Sequence, residues 1–384
     1  MITKEEGYAF IDAHRDSMMK LWEELVNVDC GSDYKEGVDR VVEKVAGCLE
    51  KIGGRTRIVE NEKAGNMLVS EFGDMSKPFV ILTGHLDTVF NRIGTAKERP
   101  FTVKDGTAYG PGVLDMKGGI VILLHALQAL AEKGYDRHPI KVILVGDEEI
   151  AHINSNASDF IMEEAKGAFA AFNFETGFMD DSLVVARKGV VRFEMEAFGR
   201  GAHVGNDPQN GRSAIKELAH KVLDIEALTD WDKEVNLNVG VIEGGTVANA
   251  VPAYAKMICD MRYSDPAIVP EKMAQFQAIC DKVYVPDVVT KMKVTSQMPP
   301  MVCIDGGMEL FDFVKGVYEE EGFGSPKAIK VGGGSDSSYT TAAGVPTVCA
   351  MGVKGGRNHT VEEFADVESL FMRAKLLIAV LLKL

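Results

Sequence analysis

The sequence contains no Cys-x-x-Cys pair: its six cysteines, Cys30, Cys48, Cys259, Cys280, Cys303 and Cys349, are scattered along 384 residues. They read as small buried apolar residues in a reducing compartment, and a chain of this length has no need of disulfide staples to build a core. Long apolar runs are missing as well. The longest, over 376–382 within an amphipathic terminal pattern, is too short to span a bilayer, and the opening Met-Ile-Thr-Lys-Glu-Glu lacks the apolar run of a signal peptide. Positive charge is in deficit: Lys plus Arg number 42 against 57 for Asp plus Glu, a net charge of −15. Such a surface repels phosphate backbones, so nucleic acid is not an expected partner, and the short apolar runs make a membrane an unexpected one as well. There is no internal repeat and no low-complexity segment. Together these absences predict a soluble cytoplasmic protein.

What is present is ordinary in proportion and specific in placement. Hydrophobic residues make up 46% and charged residues 26%, the composition of a globular chain able to bury a large core. At roughly 150 residues per domain, the length suggests two domains. The acidic surplus serves solubility, or it reflects clustered carboxylates, which hard or borderline cations need. Helical spacing appears over 5–28, with Phe10, Ile11, Met18, Leu21, Trp22 and Leu25, and again over 37–52 before Gly53-Gly54. Pro78 then precedes Phe79-Val80-Ile81-Leu82, a continuous apolar run suited to a buried parallel sheet. Asp105-Gly106 reads as a hairpin turn. A helix over 116–133, a strand over 141–145, a further helix and a strand over 168–174 complete an α/β pattern.

After Gly189 the pattern changes. Val191, Phe193, Met195 and Ala197 alternate as in a half-exposed strand. A helix over 211–228, strands over 235–242 and 253–262, a helix over 267–283 and a strand over 290–296 give the order βαββαβ, a ferredoxin-like unit. The α/β pattern resumes near Pro299 with a helix over 307–322, a strand over 346–351 and a terminal helix within 361–384. The expected architecture is an α/β domain over 1–187 and 298–384, its central mostly parallel sheet flanked by helices. An α+β domain over 188–297 is inserted near its middle.

The chemistry gathers where predicted strands end, which is where open α/β sheets place their sites. Ile81-Leu82-Thr83-Gly84 runs into His85-Leu86-Asp87. A Gly-rich turn, Gly110-Pro111-Gly112-Val113-Leu114-Asp115-Met116-Lys117-Gly118-Gly119, opens a helix. Val145-Gly146-Asp147-Glu148-Glu149 and Phe172-Asn173-Phe174-Glu175 end two more strands, and Asn358-His359 lies near the C-terminus. Each piece has a plain structural reading: a hydrogen-bonded histidine, a helix cap at Asp115, a solvated Glu-Glu loop, a surface His359. Independent accidents would not all fall at strand termini. Jointly, two imidazoles and several carboxylates are a donor set for two divalent cations. His14, His125, His138, His152 and His220 lack such company and read as structural.

These runs, Gly-His-Leu-Asp-Thr-Val, Gly-Pro-Gly-Val-Leu-Asp-Met-Lys-Gly-Gly, Asp-Glu-Glu and Phe-Glu-Thr, resemble the M20 metallopeptidase and amidohydrolase family over nearly the whole chain. The resemblance is strongest to its glutamate carboxypeptidase (carboxypeptidase G2-like) branch. It implies two zinc ions per chain, with cobalt or manganese as alternatives. Asp115 would bridge them, His85 and Glu175 would complete one site, and Glu149 and His359 the other. It makes Glu148 the general base toward the bridging water, since a carboxylate engaged by metal is a poor base. Asp87 would hold the second nitrogen of His85. In the family the peptide bond after the bridging aspartate is cis, here Asp115-Met116.

Other segments are similar to the family's substrate machinery. Gly199-Arg200-Gly201-Ala202-His203 resembles the segment whose histidine reaches a partner subunit's site and stabilises the oxyanion, which implies a homodimer through the inserted domain. Asn249, in Gly244 to Pro252, resembles a substrate-contacting asparagine. Arg262, in Asp260-Met261-Arg262, resembles an arginine that clamps a substrate carboxylate. Gly334 and Ser335, in Gly332-Gly333-Gly334-Ser335-Asp336, resemble a substrate loop; this is not Gly-x-Ser-x-Gly, so a serine-hydrolase elbow is unsupported. One departure stands out. Glutamate-specific members carry a further arginine in the region reading Val294-Thr295-Ser296-Gln297-Met298-Pro299 here, and none is present. The leading expectation is a dizinc hydrolase that releases a C-terminal amino acid from a peptide or N-acyl amino acid. The alternatives are an N-acyl amino acid deacylase of the acetylornithine or succinyl-diaminopimelate type, or a catalytically inactive dimeric binding protein. A tripeptide aminopeptidase fits less well, because that branch places aspartate where Glu175 stands.

Overall fold

The structure, a computed structural model, describes residues 2–384. The chain divides into two compact units. One comprises the chain up to Ala186 with Met301–Val331 and Ser335–Leu384; the other comprises Arg187–Pro300 and Gly332–Gly334.

The larger unit is built on a six-stranded sheet in the order Arg55–Val59, Gly65–Phe72, Ile140–Gly146, Phe79–His85, Ala168–Asn173, Thr347–Val348. The last four run parallel, and Gly65–Phe72 and Arg55–Val59 add an antiparallel edge. Every residue of Phe79–His85 and of Ile140–Gly146 is buried, because helices cover both faces of the sheet. Helix Gly118–Glu132 is apolar nearly all round and is buried up to Leu130 apart from half-buried Gln128, as a helix inside a core must be. It packs on Val367–Lys383.

Three expectations are refined here. The pattern over 5–28 forms two helices, Lys4–Ala13 and Arg15–Val26, separated at His14, whose Nδ1 bonds the Phe10 carbonyl at 2.8 Å. The strand expected over 346–351 is only Thr347–Val348. The terminal helix begins at Val367, because Phe364–Asp366 first pairs as a strand with Thr107–Tyr109 and Lys354–Gly356, and Asp366 then caps the helix at Ser369 N. That pairing belongs to a small five-stranded sheet, in the order Thr102–Lys104, Thr107–Tyr109, Phe364–Asp366, Lys354–Gly356, Gly177–Phe178. It ties together the segments that lead into the Gly-rich turn, the Glu175 loop and the His359 loop.

The smaller unit follows the βαββαβ order: Gly189–Phe198, Ala214–Glu226, Asn236–Gly244, Tyr254–Tyr263, Val269–Asp281, Val289–Met298. Its antiparallel sheet runs Asn236–Gly244, Tyr254–Tyr263, Gly189–Phe198, Val289–Met298. Val191, Phe193, Met195 and Ala197 face one core with Leu218, Ile225 and Phe276 from the helices. Buried Lys221 joins the two helices: its Nζ donates to the carbonyls of Ile279, Cys280 and Lys282 at 2.6–2.9 Å and pairs with Glu217 at 3.2 Å. The far side of the sheet carries Glu194–Lys256 and Arg192–Asp260 as cross-strand pairs.

Candidate active site

His85 ends the strand Phe79–His85 and is 2% exposed. Its Nε2 lies 3.1 Å from Asp115 Oδ1 and 3.7 Å from Glu175 Oε1, and its Nδ1 lies 3.3 Å from Asp87 Oδ1. The other oxygen of Asp115 meets a different group: Oδ2 is 3.3 Å from His359 Nε2, which is in turn 3.1 Å from Glu149 Oε2. Asp115 therefore stands between two sets, His85 with Glu175 on one side and His359 with Glu149 on the other. Ligand atoms of His85, Asp115 and Glu149, and separately of His85, Glu148 and Glu175, lie within 4.8 Å of one another.

Local structure explains the convergence. Gly112 has φ 72°, a left-handed conformation open to glycine, and a Cβ there would meet Thr88 Cγ2 at 2.6 Å. A Cβ on Gly119 would meet the Phe174 carbonyl oxygen at 2.1 Å, so glycine lets the helix start against the backbone that leads to Glu175. The bond Asp115-Met116 is cis, as the resemblance implies. Asp87 does more than orient His85. Its carboxylate also accepts Ser32 Oγ at 2.6 Å and the backbone N–H groups of Glu148 and Glu149 at 3.1 and 3.2 Å. One buried carboxylate thus holds both the histidine and the Glu-Glu turn.

Three supporting residues are not distinguished by the sequence reading. Glu363, 1% exposed, accepts the backbone N–H groups of Gly112, Leu114 and Asp115 at 2.9–3.0 Å and so fastens the Asp115 turn to the His359 segment. Asn358 donates to Asp115 Oδ2 at 3.2 Å. Asn173 Oδ1 accepts the Glu175 N–H at 3.1 Å. The only signal for them is closeness in sequence to a motif residue, which does not separate Glu363 from its solvent-exposed neighbour Glu362.

In the smaller unit, His203 accepts the Gly205 N–H on Nδ1 at 3.1 Å, which leaves Nε2 as the protonated, donating nitrogen. Asn249 lies in the exposed loop before Pro252, and its carbonyl accepts the Val204 N–H at 3.0 Å. Arg262 is already engaged: its Nε and Nη2 lie 2.7 and 3.2 Å from Asp260, and its Nη1 lies 3.4 Å from the Gly332 carbonyl. Arg192 shares Asp260 at 3.2 Å. The Gly334 carbonyl accepts Arg187 Nη1 at 3.2 Å. Ser335 belongs to the larger unit and is fully buried, its hydroxyl bonded to Asn173 Nδ2 and Ser337 Oγ at 3.1 and 3.0 Å. Any contact between Ser335 and a substrate would have to come from its backbone.

The sequence model of peptidase family M20/M25/M40 matches residues 81–383. The chain belongs to this family. Carboxypeptidase G2 of Pseudomonas sp. (strain RS-16) is 29% identical over 372 residues, spanning 94% of this chain and 88% of that protein. A succinyl-diaminopimelate desuccinylase of Corynebacterium glutamicum is 30% identical over 197 residues, 51% of this chain and 47% of that protein. Among solved structures, an M20 family metallo-carboxypeptidase, Sso-CP2 from Sulfolobus solfataricus, superposes with a TM-score of 0.77 at 17% identity, covering 95% of this chain and 98% of that one, and shows the same fold. The protein is an M20-family metallohydrolase acting on peptides or acyl amino acids, and its family implies a divalent metal, usually zinc.

The donor set fits such a metal. Carboxylates exceed imidazoles, all are oxygen or nitrogen donors, and Glu149 Oε1 is buried without a hydrogen-bond partner. The charges are correspondingly strained. Burial, reinforced by Asp115, pushes Glu149 up to about 8. Burial likewise raises Glu148 well above the carboxylate range, against the pull of His85 and with Glu175 and Asp336 adding to the rise. Hydrogen bonds to Asp115 and Glu149 lift His359 to about 11. For His85, burial disfavours the imidazolium, but the bonds to Asp115 and Asp87 outweigh it and the pKa rises well above the ordinary value. Groups raised in this way hold protons at neutral pH that a bound cation must displace. Zinc affinity should therefore rise with pH, about tenfold per pH unit for each proton released. Calorimetric titration across neutral pH checks this, and a flat profile would show that the two histidines are not both ligands.

Proposed function

We propose that the protein removes a C-terminal amino acid from a peptide or N-acyl amino acid at a site holding two zinc ions, with Glu148 as general base. The observation that carries this reading is the division of labour at Asp115, whose two oxygens face separate His–carboxylate sets at 3.1 and 3.3 Å. His85, Asp115 and Glu175 would hold one ion, and Asp115, Glu149 and His359 the other. When bound, such ions polarise a scissile carbonyl and acidify a water. Glu148 takes the proton of the attacking water and delivers it to the leaving nitrogen, while Asp87 keeps His85 in one orientation and the Glu148–Glu149 turn in place. The test is a hydrolysis screen of N-acyl amino acids and dipeptides with added zinc. Cleavage of free acids supports the reading, and no cleavage of any member refutes it. Deacylation confined to N-acyl amino acids would favour the succinyl- or acetyl-deacylase alternative instead.

The roles of Arg262, Asn249, Gly334, Ser335 and His203 follow from the family resemblance. Arg262 would meet the substrate carboxylate, oriented for that task by its bond to Asp260. Arg262→Ala should then lower kcat/KM far more for free acids than for their amides, and equal losses would make Arg262 structural. We further propose a cytoplasmic homodimer in which His203 serves the partner's site, donating from Nε2 to the oxyanion. Mixed and allowed to exchange, His203→Ala and Glu148→Gln chains, each nearly inactive alone, should regain activity at up to about half the sites, since each mixed dimer has one site with both defects and one with neither. Mixed dimers that stay inactive would place His203 outside the partner's chemistry.

A further inference from the structure

His152 takes no part in the proposed hydrolysis, yet its surroundings are not those of a bystander. It is 6% exposed and follows the Glu148–Ile150 turn, where Ala151 and His152 both adopt positive φ, 55° and 56°. Its Nδ1 is 2.9 Å from Asp147 Oδ1 and its Nε2 is 2.7 Å from Asp336 Oδ1. With both aspartates ionised, a carboxylate oxygen on each ring nitrogen requires both nitrogens to donate, which makes the ring an imidazolium. Asp147 and Asp336 are 0% and 1% exposed, and the second oxygen of each has no hydrogen-bond partner. Without the ring, two buried carboxylates would face one another with no cation between them. The aspartates come from distant parts of the chain. Asp147 directly precedes Glu148, and Asp336 lies at the start of helix Ser337–Ala342, whose Tyr339 ring packs 5.5 Å from the imidazole. The Glu148–Glu149 turn is thus held from two sides, by Asp87 through its backbone N–H groups and by His152 through Asp147.

We infer that His152 is a positioning residue for Glu148: by bridging Asp147 and Asp336 it fixes the turn in the geometry that proton transfer requires. The inference rests on the assignment of Glu148 as base. His152→Gln offers one donor and one acceptor where two donors are needed. Its kcat should fall about 10- to 100-fold, the cost usual for losing an outer hydrogen-bond partner, while KM stays within about threefold and zinc content is unchanged. The double variant His152→Gln/Asp336→Asn rebuilds a neutral bridge, with glutamine donating to Asp147 and accepting from the new amide, and should recover most of the loss. Wild-type kcat in His152→Gln, a loss expressed mainly in KM, or a double variant no better than the single one would overturn the inference. If His152→Gln fails to fold, Asp336→Ala cuts one end of the bridge and should show the same kcat-only loss. Nitrogen NMR of labelled wild-type protein should also find both His152 ring nitrogens protonated, and a single N–H refutes the bridge. Glu148→Gln measured alongside separates the failures. If it stays active, the base assignment falls; if it is inactive while His152→Gln is fully active, only the role of His152 falls.

Discussion

Glu148→Gln should yield a folded protein that keeps its metal and its substrate affinity while kcat drops about 10² to 10⁴-fold, the loss expected when a general base is removed. Glutamine matches glutamate in shape but cannot accept the proton. The neighbouring substitution should behave differently. Glu149 presents Oε2 to His359 at 3.1 Å and leaves Oε1 buried without a partner, the disposition of a ligand. Glu149→Gln should therefore weaken metal binding first, with activity recovering as zinc is added. Metal analysis together with steady-state kinetics on both variants decides the matter. Should Glu148→Gln lose metal and Glu149→Gln retain it, the two roles are reversed.

Chelation should abolish hydrolysis altogether, and zinc or cobalt should restore it. The effect extends to stability. His85, Asp115 and Glu175 come from strand ends and a turn, and His359 and Glu149 from two further loops, so bound ions cross-link five segments of the larger unit. A ligand that binds only the folded state adds roughly 4 kcal/mol at a thousandfold excess over its Kd, for each site. Tm should accordingly fall on chelation and rise again with zinc. Full activity in protein shown to be free of metal would refute the two-ion reading.

The division between what is legible in sequence and what needs the fold follows the range of the interactions. The α/β pattern, the βαββαβ insertion and the positions of His85, Asp115, Glu148, Glu149, Glu175 and His359 can all be read from the chain. Hydrophobic periodicity and Gly-rich turns are local signals, and each of these residues closes a recognisable run. Elements without a strong local pattern form only through distant partners. Arg55–Val59 mixes arginine and threonine on an exposed edge and becomes a strand only through its pairing with Gly65–Phe72. The terminal helix starts late because Phe364–Asp366 is taken up by a sheet whose other strands lie far away in sequence. The same holds for the supporting residues of the site. His152 looks like any turn histidine until Asp336, 184 residues away, is seen on its second nitrogen. Glu363 cannot be told from Glu362 until three backbone N–H groups, some 250 residues earlier, are found pointing at it. The donors of the site are set by residue type at the ends of local elements and are readable from the chain. What holds them, a buried carboxylate or imidazole bonded across the fold, has no local pattern, and only tertiary structure decides it, because a buried charge is tolerated only where distant partners arrive to meet it.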